Sequence, residues 1–227
     1  MNKSLVAVIP VRKGSQRVKN KNFKPFAGKN LLTHKIEMLK QIKDLDEIII
    51  NTDSDEAINL AKNMNISFKK RKDYFASSEC TNSEFWEHIA EETEAQFIMF
   101  TNCTSPLVKK DTFESIINTF KKKKLENDSL NTVTDLKEFL YKDKKPINFN
   151  PSKALNSQDL PNIVKLNFAV SIISKDLMKK RKSIIGNNPF LYKLDEIEGL
   201  DIDTHFDFEF AEYLFNQVSK IYNLFFD

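Results

Sequence analysis

Cationic side chains are concentrated in the eleven residues from Arg12 to Asn22. The cations of this segment are Arg12, Lys13, Arg17, Lys19 and Lys21. Because like charges on a short loop repel one another, this arrangement favours the binding of an anion, for which a nucleoside triphosphate is a natural candidate. Gly14 allows a tight backbone turn close to such a ligand, and Ser15 offers a hydroxyl and an N–H group. Arg12, Arg17 and Lys21 can neutralise phosphate oxygens.

The same segment could instead be a solvated basic loop, because the whole sequence is rich in lysine. It matches neither the G-x-G-x-x-G pattern of dinucleotide sites nor the G-x-x-x-x-G-K-[ST] pattern of P-loops. The sequence therefore predicts neither of those two kinds of nucleotide site.

Two carboxylates alternate in the segment Gly199–Thr204, where Asp201 and Asp203 flank Ile202. In an extended chain, residues i and i+2 project to the same side, so these two side chains would point together. Paired carboxylates repel without a cation, and their oxygen atoms suit Mg²⁺ that is shared with phosphate oxygens. The alternative is that Asp203 or Thr204 caps the helix that follows.

The elements that must position these residues alternate between strands and helices as far as residue 124. Apolar runs predict strands at Leu5–Val11, Glu47–Ile50 and Phe97–Thr101, and apolar residues at helical spacing predict helices between them. This alternation is typical of an α/β fold with a mostly parallel central sheet and helices on both faces. The polar clusters, Asp53 among them, follow the carboxyl ends of strands, where ligands bind in such sheets.

The alternation stops at about residues 135–165, which are polar, contain three prolines and show no sustained period. A stretch of this length is unusual as a connection, so we predict an inserted arm that is functional, disordered or a subunit contact. Ala169–Ile173 then predicts a strand, and an apolar stripe that begins at Phe208 predicts a closing helix. We expect residues 1–227 to form a single domain.

Composition excludes several classes of protein. The 35 basic and 32 acidic side chains leave a net charge of +3, without the large basic surplus of a dedicated nucleic-acid binder. The two cysteines are too few for a disulfide-dense scaffold or a four-cysteine zinc site. No apolar run is long enough for a membrane span or a signal-peptide core, so we expect a cytoplasmic protein.

Together these segments resemble the acylneuraminate cytidylyltransferases, which activate sialic acid and related nonulosonic acids as CMP-sugars. The resemblance covers nearly the whole chain. The matching segments, in chain order, are Ile9–Ser15 with Lys21–Asn22, Thr52–Asp55, Phe75–Ala76 with Thr81, Thr104–Pro106, Gln158–Pro161, Asn167 and Asp201–Thr204.

The resemblance implies a Rossmann-like nucleotidyltransferase fold, CTP as the donor, Mg²⁺ as cofactor and a homodimer to which the arm contributes. It implies nucleotide contacts from Arg12, Gly14, Ser15, Lys21, Asn22, Arg71, Ser78 and Thr81. It implies acceptor contacts from Asn102, Thr104, Ser105, Gln158 and Asn167. Asp201 and Asp203 would hold the metal, and these two residues would form the catalytic set with Arg12 and Lys21.

Four departures from the family pattern are present. Gln16 stands in place of a basic residue, Asn102–Cys103 in place of Gln-Pro, Ser157 in place of arginine and Phe168 in place of glycine. Most of them fall where the acceptor sugar is bound, and the lost arginine would remove a bidentate partner for a carboxylate. They leave the CTP prediction in place and leave the identity of the acidic acceptor open.

Three other functions are compatible with these residues. The first is a cytidylyltransferase for a different acidic acceptor. The second is a glycosyltransferase whose Asp201 and Asp203 hold the diphosphate of a nucleotide-sugar, which would release no pyrophosphate from CTP. The third is a non-catalytic nucleotide-binding homologue, although neither the carboxylate pair nor the basic loop is needed for a packed scaffold.

Overall fold

The structure, a computed structural model, describes residues 3–15 and 17–226, with the side chains of the closing helix as far as residue 217. The departure at Gln16 lies outside the described residues. The strands are β1 Leu5–Val11, β2 Pro25–Phe26, β3 Lys29–Asn30, β4 Glu47–Thr52, β5 Ser67–Lys70, β6 Phe97–Thr101, β7 Ser129–Leu136, β8 Tyr141–Lys142, β9 Lys145–Pro146, β10 Ile163–Ser174 and β11 Pro189–Lys193. The helices are α1 Leu31–Leu39, α2 Asp55–Asn63, α3 Asp73–Ala76, α4 Asn82–Glu92, α5 Lys110–Lys123, α6 Lys175–Arg181 and α7 His205–Phe226.

The central sheet of the described chain has seven strands in the order β11-β7-β10-β6-β1-β4-β5. Strand β1 is parallel to both β4 and β6, β4 is parallel to β5, and β11 is parallel to β7. Strand β10 is antiparallel to both β6 and β7. The prediction of an α/β fold with a mostly parallel sheet is therefore confirmed.

Strand β1 is buried on both faces, as its apolar run predicts. Ala7 and Ile9 pack into one hydrophobic cluster, with residues of α1 and α5, whereas Val6 and Val8 pack into a second cluster on the other face. The strand is thereby fixed along its length and delivers Arg12 to the carboxyl edge of the sheet.

The sequence did not predict the elements β7, α6 and β11, nor the two-residue strands β2, β3, β8 and β9 and the short helix α3. Strand β10 is longer than the predicted Ala169–Ile173. The sequence lacks an apolar run that would predict β7, because the buried side chains of this strand are largely polar. Asn131 illustrates this, since its amide donates to Ser171 Oγ (2.9 Å) and to the Ile184 carbonyl (3.0 Å) inside the protein. These hydrogen bonds satisfy polar groups that would otherwise oppose burial.

The predicted arm corresponds to residues 137–162, which connect the antiparallel neighbours β7 and β10. It contains the hairpin of β8 and β9 and two short 3-10 turns, Pro151–Lys153 and Ser157–Asp159. Phe149 packs edge-on against Phe139 and Tyr141 within it. The arm is thus locally structured, and its role in dimer formation stays a prediction.

Within residues 3–15 and 17–226, no helix combines the length and the apolar character that crossing a bilayer requires. The cytoplasmic location stays a prediction.

Candidate active site

The site lies where neighbouring strands end at one edge of the sheet. Strands β4, β1 and β6 are adjacent and parallel, and they are followed by Asp53, Arg12 and Asn102 respectively. Carboxyl ends of parallel strands form the usual ligand crevice of an open α/β sheet. The three polar segments singled out in the sequence therefore meet at this edge.

The basic loop begins with a left-handed turn at Gly14, whose φ is +79°. Immediately before it, the Lys13 N–H donates to Asp53 Oδ1 (2.8 Å), which ties the loop to the end of β4. The loop borders a cavity of about 280 Å³. Its lining residues are Arg12, Lys13, Ser15, Asn20, Asn22, Phe23, Ser54, Asp55 and Glu56. Glycine at this position permits the turn, because L-residues seldom adopt a positive φ.

Lys21 connects the basic loop to the carboxylate pair. Its side chain is only 13% exposed, its Nζ donates to the Ile202 carbonyl, and the same nitrogen lies 3.9 Å from Asp203 Oδ1. Burial lowers the pKa of Lys21, whereas the charges of Asp201 and Asp203 act in the opposite direction. A cation is thereby placed close enough to both carboxylates to interact with their charges.

The two carboxylates have different surroundings. Asp201 accepts a hydrogen bond from the Thr104 side chain, and burial, followed in importance by the nearby charge of Asp203, raises its pKa. Its Oδ1 atom is buried and has no hydrogen-bond partner among the described residues. Asp203 is more exposed, and its Oδ1 lies 2.8 Å from Arg17 Nη2.

Helix capping does not account for these carboxylates. The N-cap of α7 is Thr204, whose hydroxyl accepts from the Asp207 N–H (3.2 Å). In return, Asp207 Oδ2 accepts from the N–H groups of Thr204 (2.7 Å) and Asp203 (3.0 Å). This reciprocal arrangement is a capping box. The side chains of Asp201 and Asp203 are therefore left available for other partners.

One observation supports a divalent cation at this pair. The buried Asp201 Oδ1 has no hydrogen-bond partner among the described residues, it lies near a second carboxylate, and carboxylate oxygens are preferred ligands of Mg²⁺. Among the described residues, no group of three or more His, Cys, Asp or Glu side chains could hold a metal ion. A Mg²⁺ ion at Asp201 and Asp203 would therefore need further oxygen ligands, which the phosphates of a nucleotide can supply.

Arg71 is buried and hydrogen-bonds to the end of β4. Its Nε donates to Asn51 Oδ1 and its Nη2 to the Asn51 carbonyl (both 2.7 Å), and its guanidinium lies over the Phe85 ring at 4.2 Å. Burial lowers its pKa to about 10, and the negative charge of Asp53 opposes that shift. These contacts hold the end of β4 and place a buried positive charge behind the crevice.

The other two predicted nucleotide residues are exposed. Ser78 lies at the surface after α3, and Thr81 is the N-cap of α4. The Thr81 hydroxyl donates to Glu84 Oε2 (2.7 Å) and accepts from the Glu84 N–H (3.2 Å). The hydrogen bonds that the Glu84 carboxylate accepts from the Thr81 hydroxyl, the Thr81 N–H (2.9 Å) and the Tyr74 hydroxyl lower the pKa of Glu84 to about 2. In this structure the Thr81 hydroxyl is engaged in the cap.

The predicted acceptor residues come from several segments. Asn102 Nδ2 donates to the Phe168 carbonyl (3.4 Å), and Asn167 Oδ1 accepts from the Thr132 hydroxyl (2.6 Å). Phe168 itself has a φ of +55°, a strained conformation for a non-glycine residue. Gln158 lies exposed on the second 3-10 turn of the arm, and no described contact joins it to the others.

Unpartnered buried polar atoms are concentrated in the predicted site. Six such side-chain atoms occur among the described residues. Four of them belong to predicted site residues: Asn22 Oδ1, Ser105 Oγ, Asn167 Nδ2 and Asp201 Oδ1. Because buried polar atoms are nearly always hydrogen-bonded in native proteins, each of these four atoms has capacity for a partner that a bound ligand or an ordered water can supply.

Sequence reasoning missed Lys35 and Asn51, which support the site, and Asp207, which belongs to the α7 capping box. The roles of Asn51 and Asp207 could not be predicted, because each residue lies in a short segment with several polar side chains that could make the same hydrogen bonds. Lys35 carried a usable signal, since it stands among Leu31, Leu32, Ile36 and Leu39 on the buried face of α1. A charged residue on an apolar stripe is unusual and points to an internal partner.

Comparisons with known proteins identify the family of the chain and proteins of similar fold. A family model described as "Cytidylyltransferase" matches residues 6–224. The chain is 24% identical to N-acylneuraminate cytidylyltransferase of Escherichia coli O18:K1:H7, over 93% of this chain and 52% of that protein. It is 25% identical to CMP-N,N'-diacetyllegionaminic acid synthase of Campylobacter jejuni, over 92% of this chain and 94% of that protein. The chain thus spans about half the length of the first relative and nearly all of the second.

The fold is similar to that of CMP:2-keto-3-deoxy-manno-octonic acid synthetase, solved in complex with CTP. The TM-score is 0.71 at 15% sequence identity, and the match covers 95% of this chain and 99% of that chain. At this identity the comparison establishes a common architecture only.

Proposed function

The chain belongs to the cytidylyltransferase family, and from this premise we propose that it transfers CMP from CTP to an acidic sugar and releases pyrophosphate. The acceptor class we propose is a nonulosonic acid of the sialic, legionaminic or pseudaminic type. Two similar proteins, named for N-acylneuraminate and for a legionaminic acid, support that class.

The observation that carries the proposal is the set of unpartnered buried atoms at the crevice. Asn22 Oδ1 lies on the side of the basic loop, whereas Ser105 Oγ and Asn167 Nδ2 lie on the side of β6 and β10. Asp201 Oδ1 belongs to the carboxylate pair that Lys21 contacts. A donor nucleotide and an acceptor that meet at this pair would supply partners to all four atoms.

In the proposed reaction, the anomeric hydroxyl oxygen of the acceptor bonds to the α-phosphorus of CTP. The bond from that phosphorus to the oxygen bridging the α- and β-phosphates breaks, pyrophosphate leaves, and the hydroxyl gives up its proton. Arg12 and Lys21 neutralise charge on the triphosphate, and the N–H groups around Gly14 and Ser15 orient it. Positioning and charge neutralisation supply the catalysis, without a covalent enzyme intermediate.

Asp201 and Asp203 are the residues that would hold Mg²⁺. When bound, the ion supplies positive charge that offsets the charge of the triphosphate. Thr104 orients the Asp201 carboxylate through its hydrogen bond, and Arg17 forms an ion pair with Asp203.

On the acceptor side, we assign Asn102, Thr104, Ser105, Gln158 and Asn167 to sugar binding. Nonulosonic acids carry a carboxylate, and Ser157 cannot provide the bidentate contact that an arginine gives to such a group. The unpartnered Ser105 hydroxyl and Asn167 amide are neutral donors that can take its place.

We also propose that the arm forms a homodimer interface. Four large apolar side chains of the arm are between 44% and 60% exposed: Phe139, Tyr141, Ile147 and Leu155. Exposed apolar groups clustered on one segment are typical of an interface.

Light scattering tests the proposed interface. The variant Ile147→Asp should be a monomer, whereas the control Leu125→Asp should remain a dimer, because Leu125 is 93% exposed and lies outside the arm. A monomeric wild-type protein would contradict this proposal.

Pyrophosphate release tests the proposed function. The assay combines the protein, Mg²⁺ and each of CTP, UTP, ATP and GTP with a panel of sialic, legionaminic, pseudaminic and other acidic sugars. We expect release with CTP and at least one nonulosonic acid. Release only with a different acidic sugar would correct the acceptor. A parallel assay offers intact CMP- and UDP-sugars; consumption of one of them, without pyrophosphate release from CTP, would favour a glycosyltransferase. Binding of CTP without turnover on the whole panel would favour a non-catalytic homologue.

A further inference from the structure

Lys35 of α1 is a buried lysine that the proposed reaction does not use. Its exposed fraction is 3%, and the buried face of α1 around it is otherwise apolar. Removing an ammonium group from water is unfavourable unless a partner compensates for the lost hydration. The contacts of its Nζ atom therefore indicate what the side chain does.

The Lys35 Nζ donates to the Ser105 carbonyl (2.9 Å) and lies 5.0 Å from the centre of the Phe113 ring. Among the described side chains, no carboxylate lies within 4 Å of it. Burial lowers the pKa of Lys35 to about 8, and the charges of Cys103 and Asp201 oppose that shift. The ammonium is thus placed behind the loop that follows β6, within electrostatic reach of Asp201.

That loop holds the carboxylate segment. Thr104, next to Ser105, donates its hydroxyl to Asp201, and its carbonyl accepts from the Ile202 N–H (2.8 Å). Lys21 of the basic loop donates to the Ile202 carbonyl. The segment that carries both carboxylates is therefore hydrogen-bonded both to the basic loop and to Thr104, and Lys35 donates to the neighbouring Ser105 carbonyl.

A methionine would fill nearly the same volume as Lys35 without the cost of desolvating a charge, and replacing a buried charge with an apolar side chain is often neutral or stabilising. Packing of α1 therefore does not require a lysine. What the lysine adds is a charge-assisted hydrogen bond to the loop and a positive charge behind Asp201.

We infer that Lys35 is a positioning residue, which holds the Thr104–Ser105 backbone and, through it, the Asp201–Asp203 segment in the arrangement needed for transfer. The inference rests on the proposed function for its catalytic consequence. Its structural part, the support of the Asp201–Asp203 segment, can be measured without turnover.

The test compares Lys35→Met, Lys35→Gln and the control Lys40→Met. Glutamine keeps a donor for the Ser105 carbonyl but removes the charge. Lys40 is an exposed lysine at the end of α1, and its Nζ also donates to a carbonyl, that of Met64 (2.7 Å). For each variant we measure kcat, the KM for CTP, the melting temperature and hydrogen exchange at the Ile202 amide.

In Lys35→Met we expect kcat to fall and Ile202 exchange to accelerate by about tenfold or more, the effect of one lost charge-assisted hydrogen bond. The melting temperature should stay equal or rise, and the KM for CTP should stay within about twofold because the basic loop is untouched. Lys35→Gln should recover part of both losses, and Lys40→Met should match the wild type.

Unchanged kcat and unchanged Ile202 exchange in Lys35→Met would overturn the inference. A lower melting temperature with unchanged kcat would also overturn it, because Lys35 would then only stabilise the fold. If the wild type releases no pyrophosphate with any acceptor, the proposed function fails, and Ile202 exchange alone then decides whether Lys35 supports the segment.

Discussion

The nucleotide side and the acceptor side of the crevice are built in different ways. The main part of the proposed nucleotide side is one short segment, Arg12–Asn22, which follows a parallel strand buried on both faces. Arg71, Ser78 and Thr81 were assigned to it only through the family resemblance. The acceptor side combines residues from the loop after β6, from the arm and from β10, whose neighbours are antiparallel. One side is local in the sequence, whereas the other is assembled from segments far apart along the chain.

The two sides also differ in how their polar groups are satisfied. Within the described chain, no ion pair involves Arg12, Lys13 or Lys19, so these cations of the nucleotide side are free to meet phosphates. On the acceptor side, Asn102 and Asn167 already hydrogen-bond to protein groups. The contrast suggests that donor recognition depends mainly on charge, and acceptor recognition on shape and a few neutral hydrogen bonds.

The largest expected effect is at the carboxylates between the two sides. Asp203→Asn removes a charged oxygen ligand. We expect turnover at limiting Mg²⁺ to fall by about a hundredfold or more, the usual effect of losing one group that stabilises charge in the transition state. The melting temperature without metal should be unchanged or higher, because the repulsion of Asp201 is removed. Asp201→Asn should behave in the same way.

The matched control is Asp207→Asn, which removes a carboxylate of the same segment that belongs to the α7 capping box. It should lower stability by about 1 kcal/mol and leave turnover nearly unchanged. Full activity of both Asp201→Asn and Asp203→Asn at limiting Mg²⁺ would refute the metal assignment.

The nucleotide side is tested by Arg12→Ala. Arg12 lines the cavity and follows β1, whose core is untouched by this change, so the variant should fold normally. The KM for CTP should rise about ten- to hundredfold, the effect of a lost charge-assisted hydrogen bond, with the acceptor KM unchanged. Lys19→Ala, a cation of the same loop that does not line the cavity, should have little effect. Equal behaviour of the two variants would indicate a solvated basic loop.

The acceptor side is tested by Ser157→Arg, which restores the cation of the family pattern on an exposed turn of the arm. We expect the acceptor KM to fall roughly twofold to fivefold, the range of an exposed ion pair, while the KM for CTP stays constant. Ser152→Arg places the same charge on the other 3-10 turn and should leave both constants unchanged. A change in the KM for CTP in Ser157→Arg would contradict the separation of the two sides.

The last prediction concerns Lys35 and the stability of the fold rather than turnover. Its folded-state pKa of about 8 lies below the reference value of 10.5, so the unfolded chain binds more protons between these pH values. Stability of the wild type should therefore rise by up to about 3 kcal/mol, relative to Lys35→Met, as the pH increases from below 8 to above 10.5. Thermal unfolding of both proteins at pH 7, 9 and 10 checks this. A constant difference across these pH values would show that Lys35 titrates normally.

Much of the fold could be predicted because its first half follows simple patterns. The apolar runs Leu5–Val11 and Phe97–Thr101 become β1 and β6 with the predicted bounds. The second half could not be predicted in the same way, since β7 buries Asn131 and Thr132 by satisfying them with partners more than 30 residues away. Such partners are not visible in a local pattern.

The candidate site shows the same contrast between residues that are close together in the sequence and residues that are far apart. Arg12, Ser15 and Asn22 line one cavity, as their spacing in a single loop suggests. The contact between Thr104 and Asp201 joins segments about a hundred residues apart, and only the family resemblance linked them before the structure did. The sequence offered Asp203 or Thr204 as the cap of the closing helix. In the structure Thr204 is the N-cap, and Asp207 completes the capping box.

The most direct test of the central claim follows the oxygen of the acceptor. The reaction is run with CTP, Mg²⁺ and an acidic sugar labelled with ¹⁸O at its anomeric hydroxyl, and the products are examined by mass spectrometry and ³¹P NMR. Attack of that hydroxyl on the α-phosphorus predicts a CMP-sugar that retains the label in its bridging oxygen, together with unlabelled pyrophosphate. An unlabelled CMP-sugar formed while the remaining acceptor still carries its label, or CTP consumption without a CMP-sugar, would contradict the account.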